Sequence, residues 1–105
     1  MSIDALEYFE KELGKMTFAR MLRSLRKCED LSQTEFARQL GISKQYLCDI
    51  ERGRKGVSPG KAKKFAKLLG YSQERFIQLS LQDQLDHAGI KLSVHLEKPR
   101  HRKAA

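Results

Sequence analysis

The sequence has few of the residues that build metal centres or disulfide frameworks. It contains two cysteines, Cys28 and Cys48, and three histidines. The cysteines are far apart, and no spacing between them and His87, His95 or His101 matches a zinc site. We therefore expect reduced thiols and no bound metal.

Long apolar runs and catalytic motifs are also missing. No apolar stretch approaches the roughly 20 residues that a membrane-spanning helix needs, and we identify no secretory segment. No glycine-rich phosphate loop follows a strand, and no Ser/His/Asp or Cys/His set is indicated. Asp83 and Asp86 lie three apart in a helical pattern, which a solvated polar face explains. We expect a cytoplasmic protein with no enzyme activity, no cofactor and no membrane contact.

Basic charge is in excess, and it is unevenly distributed along the chain. The 105 residues include 21 lysines and arginines against 13 aspartates and glutamates, a net charge of +8. Residues 16–70 hold 13 basic and 5 acidic groups, which is a net charge of +8 for this segment alone. A phosphate-binding surface requires such a local excess. The chain length indicates a single domain.

A stretch in the middle of the chain has the pattern of two short helices joined by a tight turn. Ser32 and Glu35 have the spacing of a capping box at a helix start. Gly41 stands where a helix ends in the left-handed conformation, and Ser43 then caps a second helix. Because the turn is so short, the two helices must cross steeply and in close contact.

The second of these helices, about residues 44–52, has outward-facing residues suited to DNA. Its apolar positions face inward, which leaves Lys44, Gln45 and Asp49 outside. Lysine and glutamine hydrogen-bond base edges, and aspartate accepts from the cytosine amine. A helix-turn-helix can place its second helix in the DNA major groove, so these three residues are our base-reading candidates.

This stretch resembles the helix-turn-helix of the phage repressor and Cro type, also called the Xre-like family. The resemblance covers about residues 18–79. The residues that carry it are Gln33, Ala37, Gly41, Ile42, Leu47, Ile50 and the run Glu51-Arg52-Gly53. It implies an all-α, five-helix repressor-like domain. It also implies that Arg26 forms a buried salt bridge with Glu51, which positions the second helix of the motif.

Several residues around the motif are candidates for contacts with the DNA backbone. Gln33 begins the first motif helix, where its side chain and the helix amides can hold a phosphate. Residues 53–57 form a glycine-rich basic loop, in which two glycines allow close backbone approach to a phosphate. The phosphate-binding candidates are Ser32, Gln33, Ser43, Tyr46, Arg54, Lys55 and Lys61.

Two further elements are expected outside the helix-turn-helix DNA-binding domain, which we place at residues 17–88. Residues 1–16 have an apolar stripe typical of an extra N-terminal helix, which packs either on its own domain or on a partner. In residues 89–96, apolar and polar residues alternate, and this pattern predicts a half-buried strand. Residues 97–105 are expected to be a basic disordered tail.

The predicted strand has no obvious partner within its own subunit. An unpaired strand edge invites pairing with another chain, either a second copy or a partner protein. The residues that would form this dimer or partner contact are Ile90, Leu92, Val94 and Leu96. The dimer interface could equally lie on the N-terminal helix.

These observations lead to one main functional hypothesis and one alternative. The first is a sequence-specific regulator of transcription, a repressor that binds double-stranded DNA as a homodimer on an inverted-repeat operator. The alternative is an antitoxin that binds a toxin protein and represses its own operon. The extra helix and lone strand favour the alternative, whereas the absence of a long disordered toxin-wrapping segment speaks against it.

Overall fold

The computed structural model describes residues 15–99, and every regular element in that range is a helix. The five helices are α1 Phe18–Cys28, α2 Gln33–Leu40, α3 Lys44–Glu51, α4 Pro59–Leu69 and α5 Gln73–His87. The predicted all-α class is confirmed. The predicted N-terminal helix, residues 1–16, lies outside the described residues except for Lys15 and Met16. None of the five helices is long and apolar enough to cross a membrane.

Hydroxyl side chains determine where the helices begin. Each helix is preceded by a serine or threonine whose hydroxyl accepts a hydrogen bond from the backbone N–H three residues later. This bond satisfies one of the amides that a helix start leaves without a partner. At α2 the capping box is complete, because the Ser32 N–H donates to the Glu35 carboxylate at 3.2 Å.

One apolar core joins all five helices. Phe18 of α1 meets Phe76 of α5 edge to face, with ring centroids 5.6 Å apart. Leu22 of α1, Leu47 of α3 and Ala62 of α4 have no exposed surface. The helices therefore pack as one unit, and α3 is fixed against this core along one side.

The turn between α2 and α3 is as tight as the sequence predicts. Gly41 adopts φ +70°, in the left-handed region, and the Ile42 N–H donates to the Ala37 carbonyl at 3.0 Å. Ala37 is only 2% exposed. A larger side chain at this position would push the two helices apart, because protein interiors are close-packed.

Two polar side chains of α5 bind other parts of the fold. The buried Ser80 hydroxyl donates to the Val57 carbonyl at 2.6 Å and so fixes the end of the loop after α3. The Asp83 carboxylate accepts from the Phe18 N–H at 3.0 Å, at the start of α1. Interpreting Asp83 as part of a solvated polar face was wrong, because it is half-buried and caps a helix distant in sequence.

Residues 90–99 contain no strand, so the predicted strand at residues 89–96 is not confirmed. A strand is defined by backbone partners, and here side chains of α5 take their place. Gln82 donates to the Leu92 carbonyl and accepts from the Val94 N–H, both at 2.8 Å. Gln78 donates to the Val94 carbonyl at 2.9 Å. The segment is thus held against α5 by two glutamines one helical turn apart.

Candidate nucleic-acid interface

Helix α3 presents one buried and one exposed side. Leu47 and Ile50 are 0% and 1% exposed and hold the helix to the core. Lys44 and Gln45, at its N-terminal end, are exposed. The structure therefore leaves the first turn of α3 accessible to a large ligand such as a nucleic acid.

Asp49 is not free on this exposed side. Its side chain is 14% exposed and contacts cations of the following loop, with Arg54 Nε at 3.3 Å and Lys55 Nζ at 3.9 Å. It also accepts a hydrogen bond from Gln45 Nε2 at 3.2 Å. The expectation that Asp49 points outward therefore needs revision, because attraction to the basic loop turns its carboxylate toward these partners.

A cluster of cations surrounds the Tyr46 ring. Lys61 Nζ donates to the Tyr46 hydroxyl at 2.9 Å and lies 4.8 Å from the ring centroid. Lys55 Nζ lies 5.5 Å from the same centroid. A cation over an aromatic face is attracted by the ring quadrupole. Residues from α3, the loop and α4 are thereby gathered into one basic patch beside the start of α3.

Similarity to known proteins agrees with this geometry. A family model described as a helix-turn-helix domain matches residues 17–76, more than half of the chain. The chain belongs to the helix-turn-helix domain family. The predicted resemblance to the repressor and Cro type is confirmed.

Among solved structures, the helix-turn-helix chain is similar to a hypothetical transcription factor, NHTF, from Neisseria. The two share 28% sequence identity and superpose with a TM-score of 0.52 over 67% of this chain and 79% of that chain. No curated protein matches the sequence. The family and this neighbour support a DNA-binding transcriptional regulator.

A buried ion pair holds the second helix of the helix-turn-helix in place. Arg26 of α1 donates from Nε to Glu51 Oε2 at 2.8 Å and from Nη2 to Glu51 Oε1 at 3.0 Å. Arg26 also donates to the Leu31 carbonyl at 3.1 Å. The pair thus connects α1, the end of α3 and the segment before α2, where the resemblance places it.

Gln33 does not project into solvent as expected for a phosphate contact. Its amide nitrogen donates to Glu51 Oε1 at 3.2 Å, and the residue is half-buried. The side chain therefore completes the hydrogen bonding of the Glu51 carboxylate. A phosphate contact at this end of α2 would then use the backbone amides and not the Gln33 side chain.

The predicted site residues fall into separate groups in the helix-turn-helix domain. Tyr46, Asp49, Arg54, Lys55 and Lys61 form one connected cluster. The Ser32 and Ser43 hydroxyls stand at the starts of α2 and α3, where each accepts a capping bond. Among residues 15–99, no three histidine, cysteine, aspartate or glutamate side chains are grouped to hold a metal.

Sequence reasoning missed the glutamine pair Gln78 and Gln82. The available signal was their spacing of four residues on one face of α5, next to a segment with alternating apolar residues. Amide side chains at that spacing lie side by side on a helix. The alternation of apolar and polar residues predicted instead a strand that pairs with another backbone.

Proposed function

We propose that the protein is a sequence-specific repressor that binds double-stranded DNA as a homodimer on an inverted-repeat operator. The observation that carries this proposal is the exposed first turn of α3, with its basic patch alongside and its opposite side fixed to the core. A rigid helix with polar residues on its free side fits the major groove.

Lys44 and Gln45 are our base-reading assignments. Both are exposed at the N-terminal end of α3, the part of a recognition helix that contacts base edges. Lysine suits the acceptor atoms of guanine, and glutamine suits the paired donor and acceptor of adenine. Asp49, which the sequence placed with them, already contacts three side chains.

Arg54, Lys55 and Lys61 supply the phosphate contacts in this proposal. All three are exposed and lie beside α3, and Tyr46 adds a hydroxyl to the same patch. The backbone amides after Ser32 and Ser43, at the starts of α2 and α3, add neutral donors that favour an anion. Phosphate contacts of both kinds fix the position of a protein on the duplex without reading its sequence.

The C-terminal segment supports the homodimer. Ile90, Leu92 and Leu96 are 42%, 64% and 40% exposed. In an extended chain, the Leu92 carbonyl and the Val94 N–H lie on one edge, and Gln82 occupies that edge. The backbone N–H and C=O groups of Ser93, and of the residues two positions before and after it, then face the other edge. That edge is open to a second strand.

The sequence of this segment is complementary to itself in an antiparallel arrangement. If Val94 pairs with Val94 of a second copy, Leu92 faces Leu96 and Lys91 faces Glu97, twice per dimer. Apolar and oppositely charged cross-strand pairs each contribute roughly 0.2–1 kcal/mol. We therefore choose a second copy of this chain as the occupant of the open edge.

The test of DNA recognition is selection of sites from random duplexes, followed by binding measurements on the selected and a scrambled duplex. We expect an inverted repeat whose half-sites lie about one helical turn, roughly 34 Å, apart. Gln45→Ala should lower the preference for the selected site. The matched control is Gln73→Ala, an exposed glutamine at the start of α5, which should leave the preference unchanged. Equal losses on both duplexes for Gln45→Ala would refute base reading.

The test of the dimer is the mass of the protein by analytical ultracentrifugation. Leu92→Lys places a charge at the centre of the proposed contact and should convert dimer to monomer. Leu68→Lys is the control, because Leu68 is a similarly exposed leucine of α4, 52% accessible. An unchanged mass for Leu92→Lys would exclude the C-terminal segment as the interface.

The exposed leucines of the C-terminal segment also keep the antitoxin alternative open to test. Such a segment can add its open edge to a strand of a toxin protein. A small toxin-like reading frame beside this one, and a stable complex with its product, would favour that function. Repression of a reporter by the protein alone, with no such neighbour, would favour the simple repressor.

A further inference from the structure

One carboxylate connects the base-reading part of α3 to the basic loop that follows it. Asp49 Oδ1 lies 3.2 Å from Gln45 Nε2 and 3.3 Å from Arg54 Nε. Its Oδ2 lies 3.9 Å from Lys55 Nζ. The Asp49 backbone carbonyl also accepts from the N–H groups of Arg54 and Lys55, at 2.8 and 3.2 Å. Asp49 therefore holds the loop through both its side chain and its main chain.

The contact with Asp49 determines how the Gln45 amide is turned. An ionised carboxylate only accepts hydrogen bonds, so the nitrogen of the amide must face Asp49 and the oxygen must face away. The outward side of Gln45 then offers its oxygen as an acceptor and the second N–H as a donor. This pair of groups matches the N6 amine and N7 of adenine.

Arg54 shares the same carboxylate oxygen. Its Nε is directed to Asp49 and its Nη2 donates to the Cys48 sulfur at 4.0 Å. The Nη1 group is left for another anion, and the side chain is 54% exposed. A guanidinium can therefore bind Asp49 and a DNA phosphate at once. Its position on the phosphate then influences the position of the Asp49 carboxylate, and through it the Gln45 amide.

We propose that Asp49 is a positioning residue that couples base reading by Gln45 to phosphate binding by Arg54, and that it does not itself read a base. This inference rests on the proposed DNA-binding function. Half-buried carboxylates that already have three partners are poorly placed to leave them for a cytosine amine. The same contacts suit a residue that orients its neighbours.

The test is a double-mutant cycle on discrimination, defined as the ratio of affinities for the selected and the scrambled duplex. Arg54→Ala, which would weaken all sequences alike if it were only a phosphate contact, should also lower discrimination. The Arg54→Ala, Gln45→Ala double variant should lose less discrimination than the product of the two single losses. The difference between the two should be a factor of about three or more. In an Asp49→Ala background this non-additivity should disappear.

Single variants of Asp49 separate positioning from a general effect of charge. Asp49→Ala should lower discrimination as far as Gln45→Ala does, and the double variant should lose nothing more. Asp49→Asn keeps an acceptor oxygen for Gln45 and should retain most of the discrimination, while weakening the coupling to Arg54, because the charge that attracts the guanidinium is lost. Glu74→Ala is the charge control, because it removes one negative charge at an exposed ion pair with Lys98 and should leave discrimination unchanged.

The outcomes are distinguishable. If the unaltered protein prefers no duplex, the proposed function is wrong. If it discriminates but Asp49→Ala discriminates equally well, the coupling is wrong. An additional loss in the Asp49→Ala, Gln45→Ala double variant, confined to a guanine–cytosine position, would show that Asp49 reads a base and would overturn the proposal.

Discussion

Glu51 is a buried carboxylate with its hydrogen-bonding needs met. Its side chain is 3% exposed, and that of Arg26 is 15% exposed. Two bonds come from Arg26 and one from Gln33. A buried charge costs several kcal/mol unless it is paired and hydrogen-bonded. The three bonds explain how an acid is accommodated at the end of α3.

Removing Arg26 should therefore strongly destabilise the fold. We expect Arg26→Met to lower the free energy of unfolding by roughly 3–5 kcal/mol, because Glu51 would be left without its cation. Urea denaturation of the single variants and of the Arg26→Met, Glu51→Met double variant measures the coupling. The double variant should be more stable than the sum of the single losses implies, whereas strict additivity would contradict a structural pair. Lys98→Ala, at a solvent-exposed pair, should have little effect.

The pKa values of Asp83 and Asp86, which lie three residues apart on α5, are shifted in opposite directions. Burial raises the pKa of Asp83 above its ordinary value of 3.8, although the hydrogen bond from Phe18 acts against this shift. The hydrogen bond from Lys15, 2.7 Å away, lowers the pKa of Asp86. Their contributions to stability must therefore have opposite pH dependence.

Because the pKa of Asp83 is raised, the folded state retains a proton that the unfolded state has lost at pH values between the unfolded-state and folded-state pKa. Its stabilising contribution is complete below about pH 3.8 and is lost as the pH rises through the folded-state pKa. Asp83→Asn cannot titrate but keeps an acceptor for the Phe18 N–H. We expect the stability of this variant relative to the unaltered protein to increase as the pH rises through this range.

Asp86→Asn is the matched control for this measurement. The contribution of Asp86 is present above its ordinary pKa and is lost as the pH falls through its lowered folded-state value, so the variant should show the opposite trend. Unfolding free energies measured by urea denaturation across the acidic range test both variants. A pH-independent difference for Asp83→Asn would contradict the assignment.

Residue roles were predictable where spacing or the family resemblance indicates them, and not where a side chain meets a partner that neither of these names. The contact between Arg26 and Glu51 was expected from the resemblance to a known family. Asp49 was expected to face outward from helical periodicity, and Gln33 was expected to hold a phosphate because it begins the first motif helix. Periodicity gives the side of a helix but not the cation or carboxylate packed next to it, which depends on the path of another segment.

At the scale of elements, helix ends follow local chemistry. Gly41 and Gly70 both end helices in the left-handed region, with φ +70° and +75°. A β-carbon added to Gly41 would meet nothing within 4 Å. Any cost of a side chain at Gly41 therefore comes from backbone conformation alone, not from crowding.

Gly41→Ala should destabilise the protein by about 1–2 kcal/mol, the cost of a left-handed backbone for an L-residue. Gly60→Ala is the control, because Gly60 lies within α4 and its added β-carbon would also meet nothing within 4 Å. Alanine is the better helix former, so this variant should be neutral or stabilised by up to about 1 kcal/mol. Thermal and urea unfolding measure both, and equal effects would show that conformation is not the cause.

The helices were predictable because their signals lie within each element. The capping residues Ser32 and Ser43 and the helix-ending Gly41 predicted the bounds of α2 and α3 closely. The C-terminal segment was less predictable, since alternation is compatible with a strand but does not name the partner. Its hydrogen bonds to α5 span 10 to 16 residues and involve side chains, which no strand pattern contains.

At the scale of the whole molecule, the net charge of +8 attracts any nucleic acid, but only cations in contact with phosphate should influence counterion release. Affinity falls with salt in proportion to the number of phosphates neutralised. Arg54 and Lys55 lie beside α3, whereas Lys63 and Lys67 are exposed on α4 without a contact to this patch.

Arg54→Ala should therefore flatten the slope of log affinity against log salt by about one. Lys67→Ala removes the same charge and should leave the slope unchanged. Fluorescence anisotropy between about 50 and 200 mM salt, on a scrambled duplex to avoid base contacts, provides the measurement. Equal slopes for the two variants would show that Arg54 does not touch phosphate.

Gln82 binds the C-terminal segment through one amide N–H and one carbonyl oxygen, the same pair of groups that a residue of a neighbouring strand would present. A segment held in this way has the backbone groups of one edge hydrogen-bonded, without belonging to any sheet. Assembly of two chains would then require no prior melting of this region. If two chains pair as proposed, they should associate at a rate governed by encounter, with no slow rearrangement preceding it.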